Sequence, residues 1–403
     1  MDELNSKTTA MTQPQDAYWL STPACRIDDF VHELKASVQA THCPRAADMV
    51  RGVPVYDCAA VRRWAAVPES RVAVMAEWGR AMLTGPGLVV LKGAFAGSEL
   101  DAVDAVSAVF QQIIDDQHRS GSGGADHFAK PGANDRVWNA LQKVCLRDPA
   151  SFAVYYANPM LALVSECWLG PAYQFTSQVN VVNPGGQAQS PHRDYHLGFQ
   201  VPEMAARYPA HVHRLSPVLT LQGAVAHCDM PVESGPTLYL PGSQRYQPGY
   251  LSWQLPEFAE HFAQHHVQLP LAKGDAVFFN PALYHAAGSN RTTHIRRMAN
   301  LLQVSSAFGR AMEAVDRSRM SRALYPVLRS MQAQGVLDRD GVACVVAASA
   351  EGYPFPSDLD RDPPAGGLAP PSQQALVLQA LDEGWDTATF EAALDAQDAR
   401  RGG

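Results

Sequence analysis

Between about residue 172 and residue 305 the chain is cut into short apolar runs that Gly, Pro, Asn and Asp keep interrupting. "YQFTSQVNVV", "SPVLTLQGAVAHCD", "GPTLYLPGS", "HHVQLPL", "GDAVFFNP", "LYHAAGSN" and "RMANLLQVSS" all have β character. Such a series predicts an all-β barrel or sandwich rather than a parallel α/β sheet. The flanks differ. "RIDDFVHELKASVQA" spaces Phe30, Leu34 and Val38 four apart, a helical stripe, and "PESRVAVMAEWGRAML" is a second helix. "GPGLVVLKGAF" reads as a buried strand bounded by glycines. The helix after it carries Leu100, Val103, Val106, Val109 and Ile113 on one face, with Ser98 as its expected N-cap.

Residues 118–132 are Gly/Ser-rich and read as a mobile loop. Helical patterning returns after residue 306, followed by a stretch rich in Pro, Gly and Asp and a final helix. The expected organisation is a helical or irregular extension (1–86), a β core with its leading strand and helices (87–305), and a helical, Pro-rich extension packed on that core (306–403).

A net charge of −8, with acids and bases mixed along the chain, gives no global field for nucleic acid or acidic membranes. No apolar run approaches the roughly 18 residues of a membrane span. The seven cysteines are odd in number and form no Cys-x-x-Cys, which argues against a zinc knuckle or a disulfide framework. Scattered reduced thiols and a polar N-terminus unlike a signal peptide fit a cytoplasmic protein.

Two His-x-Asp triplets stand out, His192-Arg193-Asp194 and His227-Cys228-Asp229. With 14 histidines and 40 acidic residues, about one such triplet is expected by chance. A strand puts residues i and i+2 on one face, so His192 and Asp194 would point together and Arg193 away. An iron(II) site with open positions needs three ligands on one side, and two imidazoles with one carboxylate provide them. His285, beyond an apolar strand and a turn at Asn280-Pro281, supplies the third. His227 lacks matching partners and reads as structural. "RRMANLLQVSS" adds an anion clamp. Alternation lets only one of Arg296 and Arg297 point inward, where a guanidinium would bind a carboxylate bidentately.

Taken together, "HRD" (192–194), "GPTLYLPGSQR" (235–245), "KGDAVFFNPALYHAAGSN" (273–290) and Arg296, eleven residues after His285, resemble the phytanoyl-CoA dioxygenase family of non-haem iron(II), 2-oxoglutarate-dependent oxygenases. Gln244 departs from the histidine that family often places after Pro-Gly-Ser. The resemblance spans roughly residues 87–305 and implies a double-stranded β-helix (jelly roll, cupin-like) with flanking helices. It implies Fe(II) on His192, Asp194 and His285, Arg296 on the distal carboxylate of 2-oxoglutarate, and O2 as co-substrate. Asp194 favours hydroxylation over halogenation, in which a small residue replaces the carboxylate.

Gln178 and Asn180, alternating on the strand before the motif, and Thr237 and Ser289 are candidates for the co-substrate or substrate. Tyr195, His196, Phe199 and Tyr284 flank the ligands and are candidates for the substrate pocket, although packing is the commoner fate of such rings. The terminal extensions are expected either to cover the barrel mouth or to form a homodimer contact. The rival readings are a cupin-type metal enzyme that does not use 2-oxoglutarate, which would not need the arginine, and a non-catalytic barrel binding protein.

Overall fold

The computed structural model describes residues 18–35, 43–121, 132–364 and 366–401. Most of the Gly/Ser-rich loop, the polar N-terminus and the last two residues therefore lie outside the described residues. The strands are β1 (Asp48–Val50), β2 (Val53–Asp57), β3 (Leu88–Lys92), β4 (Asn134–Val137), β5 (Gln174–Val182), β6 (Thr220–Ala226), β7 (Leu238–Tyr239), β8 (Val267–Gln268), β9 (Ala276–Phe279), β10 (His285–Ala286) and β11 (Arg297–Ser305). They form a large sheet in the order β1-β2-β3-β9-β6-β11-β5-β4 and a small one in the order β10-β7-β8. Only β2 and β3 pair in parallel among these neighbours. One cavity is lined from both sheets, by Gln222 and Arg297 of the large one and Tyr239 and His285 of the small one. This is the jelly-roll core with flanking helices that the sequence predicts.

Helices are nevertheless the larger share, about 48% of residues against 16% in strands. They bury one face of the large sheet. Val103, Val106, Phe110 and Ile113 of the helix Glu99–Arg119 join Val179, Val181, Val225, Leu302 and Val304 in one apolar cluster. The opposite face carries Leu88, Val90, Ala224, Val277, Phe279 and Ala299. Both faces of the sheet are thus covered, one by helices and one by the cavity wall. Apolar residues therefore stand on both faces, while the cavity face also carries polar side chains such as Gln178, Asn180, Gln222 and Gln303.

Two local expectations are corrected. Ser98 has helical backbone angles and makes no capping bond. Instead the Glu99 carboxylate accepts the backbone N–H of Ala96. The segment before residue 87 is not merely helical or irregular, because β1 and β2 extend the large sheet. Their two-residue turn, Arg51-Gly52, has φ of 51° and 81°. Left-handed angles at both turn residues match the twist of a tight hairpin. The helices Ala140–Arg147, Pro149–Tyr156 and Pro159–Leu169, which the sequence reading leaves unassigned, fill the layer over β5 and β6. Among the described residues no helix is long and apolar enough to cross a membrane.

The ends brace the two sides of the core. Phe30, on the helix Ile27–Lys35, packs its ring 5.3, 5.1 and 5.2 Å from those of Tyr246, Phe258 and Tyr284, beside the small sheet. The helix Arg317–Ala333 sends Met320, Leu324 and Leu328 into the layer over the large sheet.

Candidate metal centre

His192 and His285 pair as an isolated antiparallel bridge, each backbone N–H donating to the other's carbonyl at 3.0 and 3.1 Å. Asp194, two residues on, donates its N–H to the carbonyl of Pro281, in the turn that leads to His285. That turn forms where the sequence predicts it: the Asn280 side chain accepts the N–H of Ala282, and its carbonyl accepts that of Leu283. Backbone pairing therefore brings three side chains together from two distant segments. One ligand atom from each of His192, Asp194 and His285 lies within 4.8 Å of the others. The Nε2 atoms of His192 and His285 are 3.8 and 3.4 Å from the Asp194 carboxylate oxygens.

The tautomers are set from behind. His192 Nδ1–H donates to the Ser190 carbonyl at 3.0 Å, and His285 Nδ1–H donates to the Leu283 carbonyl at 2.8 Å. A carbonyl can only accept, so both Nε2 lone pairs are left free and face the carboxylate. Burial holds His192 below its usual pKa, and His285 and Arg136 add to that. Burial alone would raise Asp194, yet His192, His285 and a hydrogen bond from Gln222 together hold it well below the usual carboxylate range. With both Nδ1–H groups bonded to carbonyls, the cluster presents two imidazole Nε2 atoms and one carboxylate, a set of donors that a divalent metal binds. The donor set fits iron(II).

The cavity beside the triad has a volume of about 540 Å³. Of the residues singled out from sequence, Gln178, Asn180, Thr237 and Phe199 line it. Ser289 does not, because its hydroxyl accepts the Ala188 N–H and fastens the loop before the motif. Tyr195 and Tyr284 are buried outside the cavity wall. Tyr284 is turned toward Ser252, with the two hydroxyls 2.7 Å apart. His196 also lies off the wall, its Nε2–H donating to the Arg310 carbonyl.

The arginine assignment is corrected. Arg296 is outside the cavity, paired with Asp135 at 3.2 Å and bonded to Gln111 and Asn183. Arg297 points into it. In β11 the residues Arg297, Ala299, Leu301 and Gln303 face the cavity, while Leu302 and Val304 pack under the helices. Arg297 is 3% exposed, and among the described residues no hydrogen bond or ion pair reaches its guanidinium. Burial draws its pKa down to about 10. An unpaired buried charge is costly, and this one faces the cavity.

The rival triplet is structural. His227 is buried, with Nδ1 2.7 Å from the Ser107 hydroxyl and Nε2 3.0 Å from that of Tyr155, and burial holds its pKa down to about 3. Sequence reasoning missed Arg136, Trp138, Gln222, Gln303 and Met312, all on the cavity wall. Gln222 and Gln303 are cross-strand neighbours. Gln222 is a lone amide inside the apolar strand TLQGAVA, and that was the available signal. Arg136 lies on a four-residue strand next to the Gly/Ser-rich loop and gave none.

The family model described as Phytanoyl-CoA dioxygenase (PhyH) matches residues 59–298. No curated protein matches the sequence. Among solved structures, the chain is similar to the non-heme alpha ketoglutarate dependent carbocyclase SnoK from nogalamycin biosynthesis. There the identity is 21%, over 59% of this chain and 86% of that one, with a TM-score of 0.42. The epimerase SnoN in complex with Fe3+, alpha ketoglutarate and nogalamycin RO gives 18% identity over 60% and 85%, with a TM-score of 0.40. EctD from S. alaskensis with bound Fe gives 19% over 58% and 77%, with a TM-score of 0.41.

Proposed function

Because this chain belongs to the phytanoyl-CoA dioxygenase family, whose model matches more than half of it, we propose that it hydroxylates a small organic molecule with iron(II), 2-oxoglutarate and O2. The observation that carries this reading is the unpaired Arg297 guanidinium in the same cavity as the His192–Asp194–His285 cluster. A guanidinium at this place suits a co-substrate whose far end carries a carboxylate.

His192, Asp194 and His285 would hold iron. Bound there with 2-oxoglutarate and O2, it supplies the oxidising power to break a substrate C–H bond, with succinate and CO2 released. The chain's own residues do the rest. The Ser190 and Leu283 carbonyls hold the two imidazoles in one tautomer. Gln222 donates to one oxygen of Asp194 and fixes the plane of the carboxylate. Arg297 takes the distal carboxylate of 2-oxoglutarate, with Thr237 and Tyr239 on the same wall. A diacid brings a second negative charge, and Arg136, beside Asn180 across the β4–β5 ladder, supplies a second positive one. Gln178, Gln303, Trp138, Met312 and the half-exposed Phe199 are left for the substrate and for excluding water. The carboxylate of Asp194 occupies the place a halide would need, which favours hydroxylation over halogenation.

The reaction is tested by screening small molecules for stimulated succinate release, then running the best one under 18O2. The product is expected to gain one labelled oxygen atom. A product that loses hydrogen or changes configuration without label would overturn hydroxylation and leave the oxygenase assignment standing.

A further inference from the structure

Arg193, the residue between the two ligands of the His-x-Asp motif, points away from the cluster and is 2% exposed. Among the described residues no carboxylate pairs with it. Its guanidinium donates to the carbonyls of Ser243 and Tyr246 and lies 5.2 and 5.1 Å from the ring centroids of Tyr250 and Tyr284. Two carbonyl dipoles and two π faces replace a counter-ion.

The same few residues hold every segment that carries a ligand. The Tyr250 hydroxyl donates to the carbonyls of Asp194 and Tyr195, at 3.2 and 2.9 Å. Tyr284, next to His285, donates its N–H to the Ser243 hydroxyl at 2.8 Å and its own O–H to the Gly249 carbonyl at 3.2 Å. The packing leaves no slack. A Cβ on Gly249 would lie 1.9 Å from Arg193 Cζ, and one on Gly198 would lie 2.1 Å from the Arg193 carbonyl oxygen. Tyr195, directly after Asp194, is held at φ 38°, a left-handed angle that a bulky residue keeps only when its surroundings impose it.

We propose that Arg193 is a positioning residue for the metal centre. Stacked between Tyr250 and Tyr284 and bonded to residues 243–246, it locks His192, Asp194 and His285 into one geometry before metal arrives. Lysine cannot substitute, because a single ammonium lacks the planar fork that meets two carbonyls and two rings at once. The proposal rests on the metal reading of the triad.

The test is Co(II) titration of the metal-free protein, followed by the d–d absorption of the bound ion, alongside thermal unfolding without metal. Arg193→Lys and Arg193→Met are expected to weaken Co(II) binding about 10- to 100-fold, the range for losing an outer-shell partner, and to alter the d–d spectrum. Tyr250→Phe, which keeps the ring under the guanidinium, is expected to weaken it several-fold.

Arg317 is the control. It is also buried, and it donates to the carbonyls of Ala348 and Phe175 away from the cluster. Arg317→Met is expected to lower the melting temperature and leave Co(II) affinity unchanged. Folded Arg193 variants that bind Co(II) as wild type does would overturn the proposal, as would an equal loss in Arg317→Met. If neither Arg193 variant folds, Tyr250→Phe decides, and an unchanged affinity there overturns it. A wild-type protein that takes up no Co(II) would overturn the metal reading itself, and this inference with it.

Discussion

Asp194→Ala is expected to bring substrate-stimulated succinate release down to background and to weaken metal binding by more than the roughly 100-fold upper range for losing an outer-shell partner. The carboxylate is the only member of the triad that can bring a negative charge, and its oxygens face both imidazole Nε2 atoms at 3.4 and 3.8 Å. Without it two imidazoles remain, too few donors and no negative charge to hold a divalent ion at an open site. Asp194→Asn separates charge from shape. It keeps the size of the side chain and is expected to lose most of the metal affinity, because an amide oxygen is the poorer donor. The measurements are metal titration and succinate production on folded protein. Wild-type turnover in Asp194→Ala would place the metal elsewhere.

Arg297→Ala is expected to weaken 2-oxoglutarate binding by about 2–5 kcal/mol, roughly 30- to 4,000-fold, the usual loss when one partner of a buried charge pair is truncated. Metal binding should change little, since Arg297 touches none of the three ligands. Arg296→Ala should do almost nothing to the co-substrate. Its side chain is 46% exposed, and its pair with Asp135 falls in the class that contributes about 1 kcal/mol or less. Titrating 2-oxoglutarate into each metal-loaded variant decides the register of β11. If Arg296→Ala lost the co-substrate and Arg297→Ala kept it, the strand would be facing the wrong way.

That one-residue error shows where the sequence stops being informative. A strand with one wet face announces its register by alternation. In β11, Leu302 and Val304 meet the helices while Ala299 and Leu301 meet the cavity, so either register shows an apolar face. The eleven-residue spacing from His285 favours Arg296, whereas the arginine that lines the cavity, Arg297, lies twelve residues on. The triad was legible because its chemistry is local. His192 and Asp194 need only i, i+2 geometry, and His285 follows a turn that Asn280 and Pro281 mark plainly.

The aromatic residues beside the ligands were less legible, because proximity in sequence does not set direction. Tyr284 follows the strand's alternation away from His285 and serves as a wall for Arg193. Tyr195 turns aside at its left-handed φ. The helices at 140–169 escaped notice for a related reason. Pro149–Tyr156 and Pro159–Leu169, buried against both neighbours and sheet, carry apolar residues on more than one face, as in "PMLALVSECWL", and lack a clean stripe, while Ala140–Arg147 has one of only two turns.

The most direct test of the central claim is anaerobic addition of Fe(II) and 2-oxoglutarate to the wild-type protein. The triad and Arg297 together predict a weak visible charge-transfer band from the chelated 2-oxo acid, lost in Asp194→Ala and shifted to much higher 2-oxoglutarate concentration in Arg297→Ala. Wild-type protein that binds Fe(II) and shows no such band at saturating 2-oxoglutarate would contradict the account.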